Sequence, residues 1–187
     1  MEEQFINYLD QYEVGLALNV LEKFFWDFCD NYIEIVKHRL YRPEEFGNTA
    51  RYSGQKTIYT LLYKLLQDFS IYFPFITEEI FQELYHNNIS IHTTEIKFLD
   101  NNFTQELISG NKIVEIISIA RGNKTTNNVS LKTPIKSMTI GVEKNLKNAI
   151  NNAIKDFKAT LFIENLDLNE IDKDYKVDKL ELDISEE

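Results

Sequence analysis

The side chains that could carry out chemistry are few and poorly grouped. Cys29 is the single cysteine, and the histidines are His38, His86 and His92. Their separations do not reproduce the close ligand pairs of a zinc site, so no metal is expected here. The six glycines are scattered and form no clustered loop that could cradle phosphates. Asp27 with Asp30 and Glu78 with Glu79 are carboxylate pairs on stretches that read as helices. Such pairs are more often solvated, or partners of a helix dipole, than a general acid and base. No Ser/His/Asp arrangement stands out. The chain is expected to have no catalytic site of its own.

Basic residues are more suggestive. Lys37, His38, Arg39 and Arg42 fall together, and Arg51 and Lys56 follow closely. A second group comprises Lys112, Arg121, Lys124, Lys132 and Lys136, and the stretch from Arg121 to Lys136 contains no acid. Cations grouped in this way can grip nucleic-acid phosphates. They can equally be ordinary surface lysines and partners of helix C-termini. Phe24, Phe25, Trp26 and Phe28 could stack on unpaired bases, but three of them lie on an apolar stripe and read as core. Trp26 sits at the edge of that stripe, and either reading fits it.

Net charge is −10, which counts against a nucleic-acid partner. Its distribution weakens the objection. From Glu164 to Glu187 ten acids and three lysines give −7, so the remaining 163 residues carry only −3. Attraction depends on local patches. The lone cysteine excludes an internal disulfide. Met1 to Gln4 is acidic and starts no signal peptide. No apolar run nears the roughly 20 residues of a membrane span. These features lead to an expected cytoplasmic location with no membrane partner.

The elements that must position the cations follow from apolar periodicity. From Val14 to Leu40 apolar residues recur in steps of three and four, predicting one helix roughly 40 Å long. Lys37, His38 and Arg39 would complement its C-terminus, and Pro43 marks its exit. Glu44 to Gln55 reads as a polar loop. A second helix is predicted from Lys56 to Phe73, broken by Pro74. Thr77 would cap a third helix ending near Tyr85, with Ile76 and Phe81 as a hydrophobic staple. A short stretch, Glu2 to Asp10, precedes the long helix as one or two turns. Such helices should pack as an antiparallel bundle.

The second half reads differently. Phe103 to Arg121 is predicted helical, stopping at Gly122. Val129 to Thr133 and Met138 to Val142 alternate as short strands. Leu146 to Phe157 carries a helical stripe. Leu161 to Asn165 and Tyr175 to Ile184 are further strand candidates. The expected organisation is a helical bundle over residues 1–98 and a small α+β appendage over residues 99–187.

Three runs carry a resemblance. Ala17 to Lys37, with the pattern Phe25-Trp-x-Phe-Cys-Asp-x-Tyr-Ile-Glu34, resembles the long anticodon-domain helix of valine–tRNA ligases. Phe73-Pro-Phe-Ile-Thr-Glu-Glu-Ile-Phe81 and Ser90-Ile-His-Thr-Thr-Glu95 resemble the segments that follow it there. Ser70-Ile71 stands where that family usually has His-Pro, and Ile96-Lys97 where it has Trp-Pro. The resemblance covers about residues 10 to 97. It implies an anticodon-binding bundle of the class I synthetase type whose first helix is missing from this sequence. The family's His-Ile-Gly-His and Lys-Met-Ser-Lys-Ser signatures are also missing, so ATP and Mg would belong to the parent catalytic core and no cofactor to this piece.

The implied partners are a valine tRNA and the remainder of the parent synthetase in cis, with no DNA. On this reading Lys37, Arg39, Arg42, Arg51 and Lys56 are candidate RNA contacts, with Arg121, Lys124 and Lys132 as a second set. Two rivals stay open: a helical protein-interaction module without RNA, and the equivalent region of an isoleucine or leucine ligase.

Overall fold

The structure, a computed structural model, describes residues 1–85, 89–95 and 103–183. The chain divides into two compact units, Met1–Asp100 and Asn101–Glu187. The first is helical and the second mixes helices with a small sheet, so the expectation of a helical bundle with an α+β appendage is met.

The first unit opens with α1 (Glu2–Asp10), whose leading acids, Glu2 and Glu3, suit the positive end of a helix. The predicted long helix is continuous but not uniform. It comprises α2 (Val14–Asp27), a π-helical segment (Phe28–Ile33) and α3 (Glu34–Tyr41). The short α4 (Pro43–Phe46) follows, with Pro43 in its first turn, where a missing N–H costs nothing. Gly47, at φ +88°, links it to α5 (Asn48–Phe69). The expected loop from Glu44 to Gln55 is therefore mostly helix. α6 (Pro74–Tyr85) starts at the proline and not after Thr77. Thr77 lies inside α6, and its hydroxyl donates back to the Phe73 and Pro74 carbonyls. With no cap at Thr77 the staple does not form, and Ile76 is exposed.

The periodic apolar stripes face inward as expected. Phe5, Ala17, Leu21, Phe28 and Leu65 form one buried cluster, with Phe24, Leu61 and Phe69 packed against it. Leu66, Phe81, Tyr85 and Ile91 form a second, flanked by Leu62 and Tyr63. A fully buried side chain such as Phe81 contributes about 1.5–3 kcal/mol. Tyr72 and Tyr85 are half or fully buried, and their hydroxyls donate to the Val14 and Tyr59 carbonyls at 2.8 and 2.7 Å.

The second unit begins with α7 (Thr104–Thr126). It runs past Gly122, which is exposed with open space around it and ends nothing. The expected strand at Val129 to Thr133 is instead a turn leading to β1 (Ile135–Val142). The single predicted helix after it is two, α8 (Lys144–Asn152) and α9 (Ile154–Leu161), parted at Ala153. β2 (Ile163–Glu170) and β3 (Tyr175–Leu182) complete the unit. Ile184, within the last expected strand, lies outside the described residues. The sheet order is β2-β1-β3, with β1 parallel to β2 and antiparallel to β3. β1 is the buried centre, and Ile135, Met138, Ile140 and Val142 are wholly enclosed. Among the described residues no helix is long and apolar enough to cross a membrane.

Candidate nucleic-acid interface

Arg39 lies on α3, Arg42 at the α3–α4 junction and Arg51 on α5, three elements that pack on one another. Gly54 on α5 faces the end of α3 at this corner. A Cβ placed there would stand 3.1 Å from Leu40 Cδ2 and 3.2 Å from Arg39 Cδ. The Arg39 stem thus lies beside the α5 backbone at Gly54. Gly54→Ile should force the two helices apart. We expect a loss of about 1–2 kcal/mol in denaturant unfolding; an unchanged midpoint would refute so close a crossing.

Arg42 occupies the junction of α3 and α4. Its guanidinium donates to the Glu45 carboxylate at 3.2 Å and to His38 Nδ1. Arginine can only donate, so His38 Nδ1 must accept, which fixes the imidazole as the Nε2–H tautomer. Burial lowers the His38 pKa, and the charges of Arg42 and Lys37 lower it further. A neutral His38 therefore braces Arg42 without adding charge. Arg51 is exposed in the second turn of α5, one turn before Gly54. From Glu34 to Lys56 there are five cations and three carboxylates, a local positive surplus in an acidic chain.

Not every candidate joins this corner. Lys37 is paired with Glu34 and precedes Arg39 by two residues, about 200° around the helix. Lys56 is exposed on α5, but two residues past Gly54, and so turned away from α3. It shares a face with Tyr52 instead. The second set belongs to the other unit, and there the expectation for Lys124 is overturned. Its side chain is 0% exposed. Its amine donates to the carbonyls of Leu131 and Leu161 at 2.9 and 2.8 Å. A cation so enclosed cannot reach a phosphate; it fastens the end of α7 to the turn before β1 and to the end of α9. Arg121 is half-buried and Lys132 exposed. Lys112, from the same basic group, is bound by Glu143 and Asp174 at 2.9 and 3.2 Å.

Sequence reasoning missed two aromatic residues. Tyr41 ends α3 and is 82% exposed; Tyr52 lies early in α5 and is 67% exposed. Both lie off the apolar stripes and beside an arginine, the one signal that could have marked them. Trp26 is also exposed, with its ring edge-to-face on Phe25 at 5.3 Å.

The carboxylate pairs have structural tasks. Asp27 accepts from the Asn31 amide. Burial alone would raise the Glu78 pKa, but donors from Gln82, Ser90 and the Ile91 N–H hold it below the usual range. This ties α6 to the turn at Ile91–Thr93. Among the described residues no three of His, Cys, Asp and Glu are gathered to hold a metal ion.

Comparison with known proteins follows the same line. The profile of the family described as anticodon-binding domain of tRNA ligase matches residues 1–140, which takes in the whole first unit and the second as far as Ile140 in β1. The valine–tRNA ligase of Rickettsia rickettsii (strain Sheila Smith) is 38% identical over 136 residues, covering 72% of this chain and 17% of that protein. That of Rickettsia prowazekii (strain Madrid E) is 35% identical over 162 residues, or 82% and 20% of the two chains. That of Wolbachia pipientis wMel is 33% identical over 171 residues, or 88% and 19%. The chain spans a fifth or less of the length of these curated relatives. With a bundle carrying a cationic corner and a family profile spanning three quarters of its residues, the chain belongs to the anticodon-binding domain family of tRNA ligases.

Proposed function

We propose that this chain holds the anticodon arm of a tRNA on behalf of a valine–tRNA ligase, the enzyme that joins valine to its tRNA using ATP. The observation that carries the proposal is the placement of Arg39 on α3, Arg42 at the α3–α4 junction and Arg51 on α5, three elements that pack on one another, with the Arg39 stem beside Gly54. Valine specificity rests on the names of the relatives. The remainder of that ligase, in cis, would supply the catalytic core with its ATP and Mg, in the cytoplasm; this chain's part is to bind RNA without a cofactor of its own.

The three guanidiniums would contact phosphates and fix the register of the arm, while unpaired loop bases would carry the sequence information. Phosphate-led binding releases counterions, so affinity must fall with salt. For three contacts, raising salt from about 50 to 200 mM should weaken binding of a valine anticodon stem-loop roughly 20- to 40-fold. The double variant Arg42→Gln/Arg51→Gln should bind more weakly at low salt and show a shallower slope. Fluorescence anisotropy titrations at the two salt concentrations measure both. Salt-independent affinity would refute the proposal, and no binding at low salt would favour a protein partner instead.

A further inference from the structure

We infer that the cavity between α1 and the end of α5 binds an alkylammonium group, a cationic head on a short hydrocarbon stem. The inference does not depend on the RNA-binding reading. The cavity has a volume of about 130 Å³, room for one long side chain and little more. Its walls are Phe5, Ile6 and Leu9 of α1 and Ile71 just beyond α5. Glu2, Lys64 and Asp68 complete the lining.

The charges of this lining do not balance. The Asp68 side chain is 1% exposed, and its Oδ2 has no hydrogen-bond partner among the described residues. Glu2 Oε1 is likewise buried without a hydrogen bond, 3.4 Å from the Lys64 amine. That amine donates to the other Asp68 oxygen, Oδ1, at 2.8 Å. One lysine of the lining thus serves two carboxylates. No Lys or Arg lies between Met1 and Glu22 or between Leu65 and Glu95, so neither α1, the end of α5 nor α6 supplies a second. An enclosed acceptor without a donor costs free energy, and a further cation in the cavity would remove that cost.

The walls select the kind of cation. Calcium or magnesium needs about six oxygens around it, whereas Phe5, Ile6, Leu9 and Ile71 offer hydrocarbon. An alkylammonium suits both parts of the cavity. Its N–H groups can donate to the two carboxylates while its stem lies along the apolar walls. Ile71 is 49% exposed, which places it at the mouth.

The test is the melting temperature of the 187-residue chain at neutral pH and constant ionic strength. It is titrated with n-butylammonium or with tetramethylammonium, which has no N–H. At about ten times its dissociation constant n-butylammonium should raise Tm by about 3–6 °C, and tetramethylammonium should not. Asp68→Asn should abolish the rise. Ile71→Lys tethers an ammonium at the mouth; it should raise Tm by itself and remove the response, which keeps the inference testable if the asparagine variant does not fold. A matching rise with spermidine assigns the site to a free polyamine, and one with Nα-acetyl-lysine methylamide assigns it to a protein lysine. Equal responses to the two salts, or no response to n-butylammonium, would overturn the inference. So would a response that persists in folded Asp68→Asn or in Ile71→Lys.

Discussion

Lys64→Met is expected to destabilise the chain by about 3–5 kcal/mol. Lys64 lies in α5 with its side chain 11% exposed. Its amine is 2.8 Å from Asp68 Oδ1 and 3.4 Å from Glu2 Oε1 of α1. The Asp68 carboxylate is 1% exposed, and its second oxygen, Oδ2, is buried without a hydrogen-bond partner. Methionine keeps the packing volume but leaves the enclosed Asp68 carboxylate, with the partly buried Glu2 nearby, without a counter-charge.

The pH dependence has a definite sign. Burial already raises the Asp68 pKa, and the Glu2 charge adds to this while Lys64 opposes it. A carboxyl whose folded pKa lies above its unfolded value costs stability once pH exceeds the folded value. That cost is relieved as pH falls toward the unfolded value. Without Lys64 the folded pKa rises further, so the penalty should be largest at neutral pH and shrink on mild acidification. The double variant Lys64→Met/Asp68→Leu should recover most of the loss. Urea unfolding of the three proteins decides it: a single variant within about 1 kcal/mol of the wild type would contradict this account of the buried pair.

The second large effect concerns Lys124, a buried cation held by carbonyls. Burial lowers its pKa from 10.5 to about 8, with the Arg121 charge adding to the shift. Between those two values the unfolded chain binds a proton that the folded chain does not. Stability must therefore rise with pH across that window and be indifferent to this group below it. The full span is worth about 3–4 kcal/mol. Lys124→Met removes the titrating group, so the wild type should gain that much relative to the variant between pH 8 and the lysine's ordinary range. Denaturant unfolding of both proteins at a pH near 8 and one near 10 measures the difference, and parallel pH profiles would refute it.

These two lysines show where the sequence was legible and where it was not. The stripes through Leu21, Phe28, Leu65 and Phe81 predicted the buried face of the bundle because burial imposes a period on the chain. Lys64 interrupts such a stripe without any signal of its own, since its partners come from residue 68 and from the far end of the unit. Lys124 lies in an acid-free basic run, the pattern of a phosphate patch. Its true partners are backbone carbonyls, which leave no trace in a sequence.

The start of α5 was hidden for a related reason. Asn48 to Gln55 is polar and includes Gly54, so it reads as loop. The glycine is there because Leu40 and Arg39 cross it, a requirement of packing and not of the local chain. The corner's cations were visible as a cluster. Which of them share a helix face depended on azimuths that the sequence alone did not supply.

Those azimuths trace back to the π-helical segment at Phe28–Ile33. Such a segment accommodates one residue more than an α-helical stretch of the same rotation. Everything downstream is thereby re-phased by about 100° from where an unbroken α-helix would carry it. Upstream, the helix answers to the hydrophobic interior at Leu21 and Phe28; downstream, it answers to α5 at Leu40. The segment acts as a coupling between two otherwise incompatible alignments. It lets one continuous rod satisfy the fold along half its length and aim its arginines along the other.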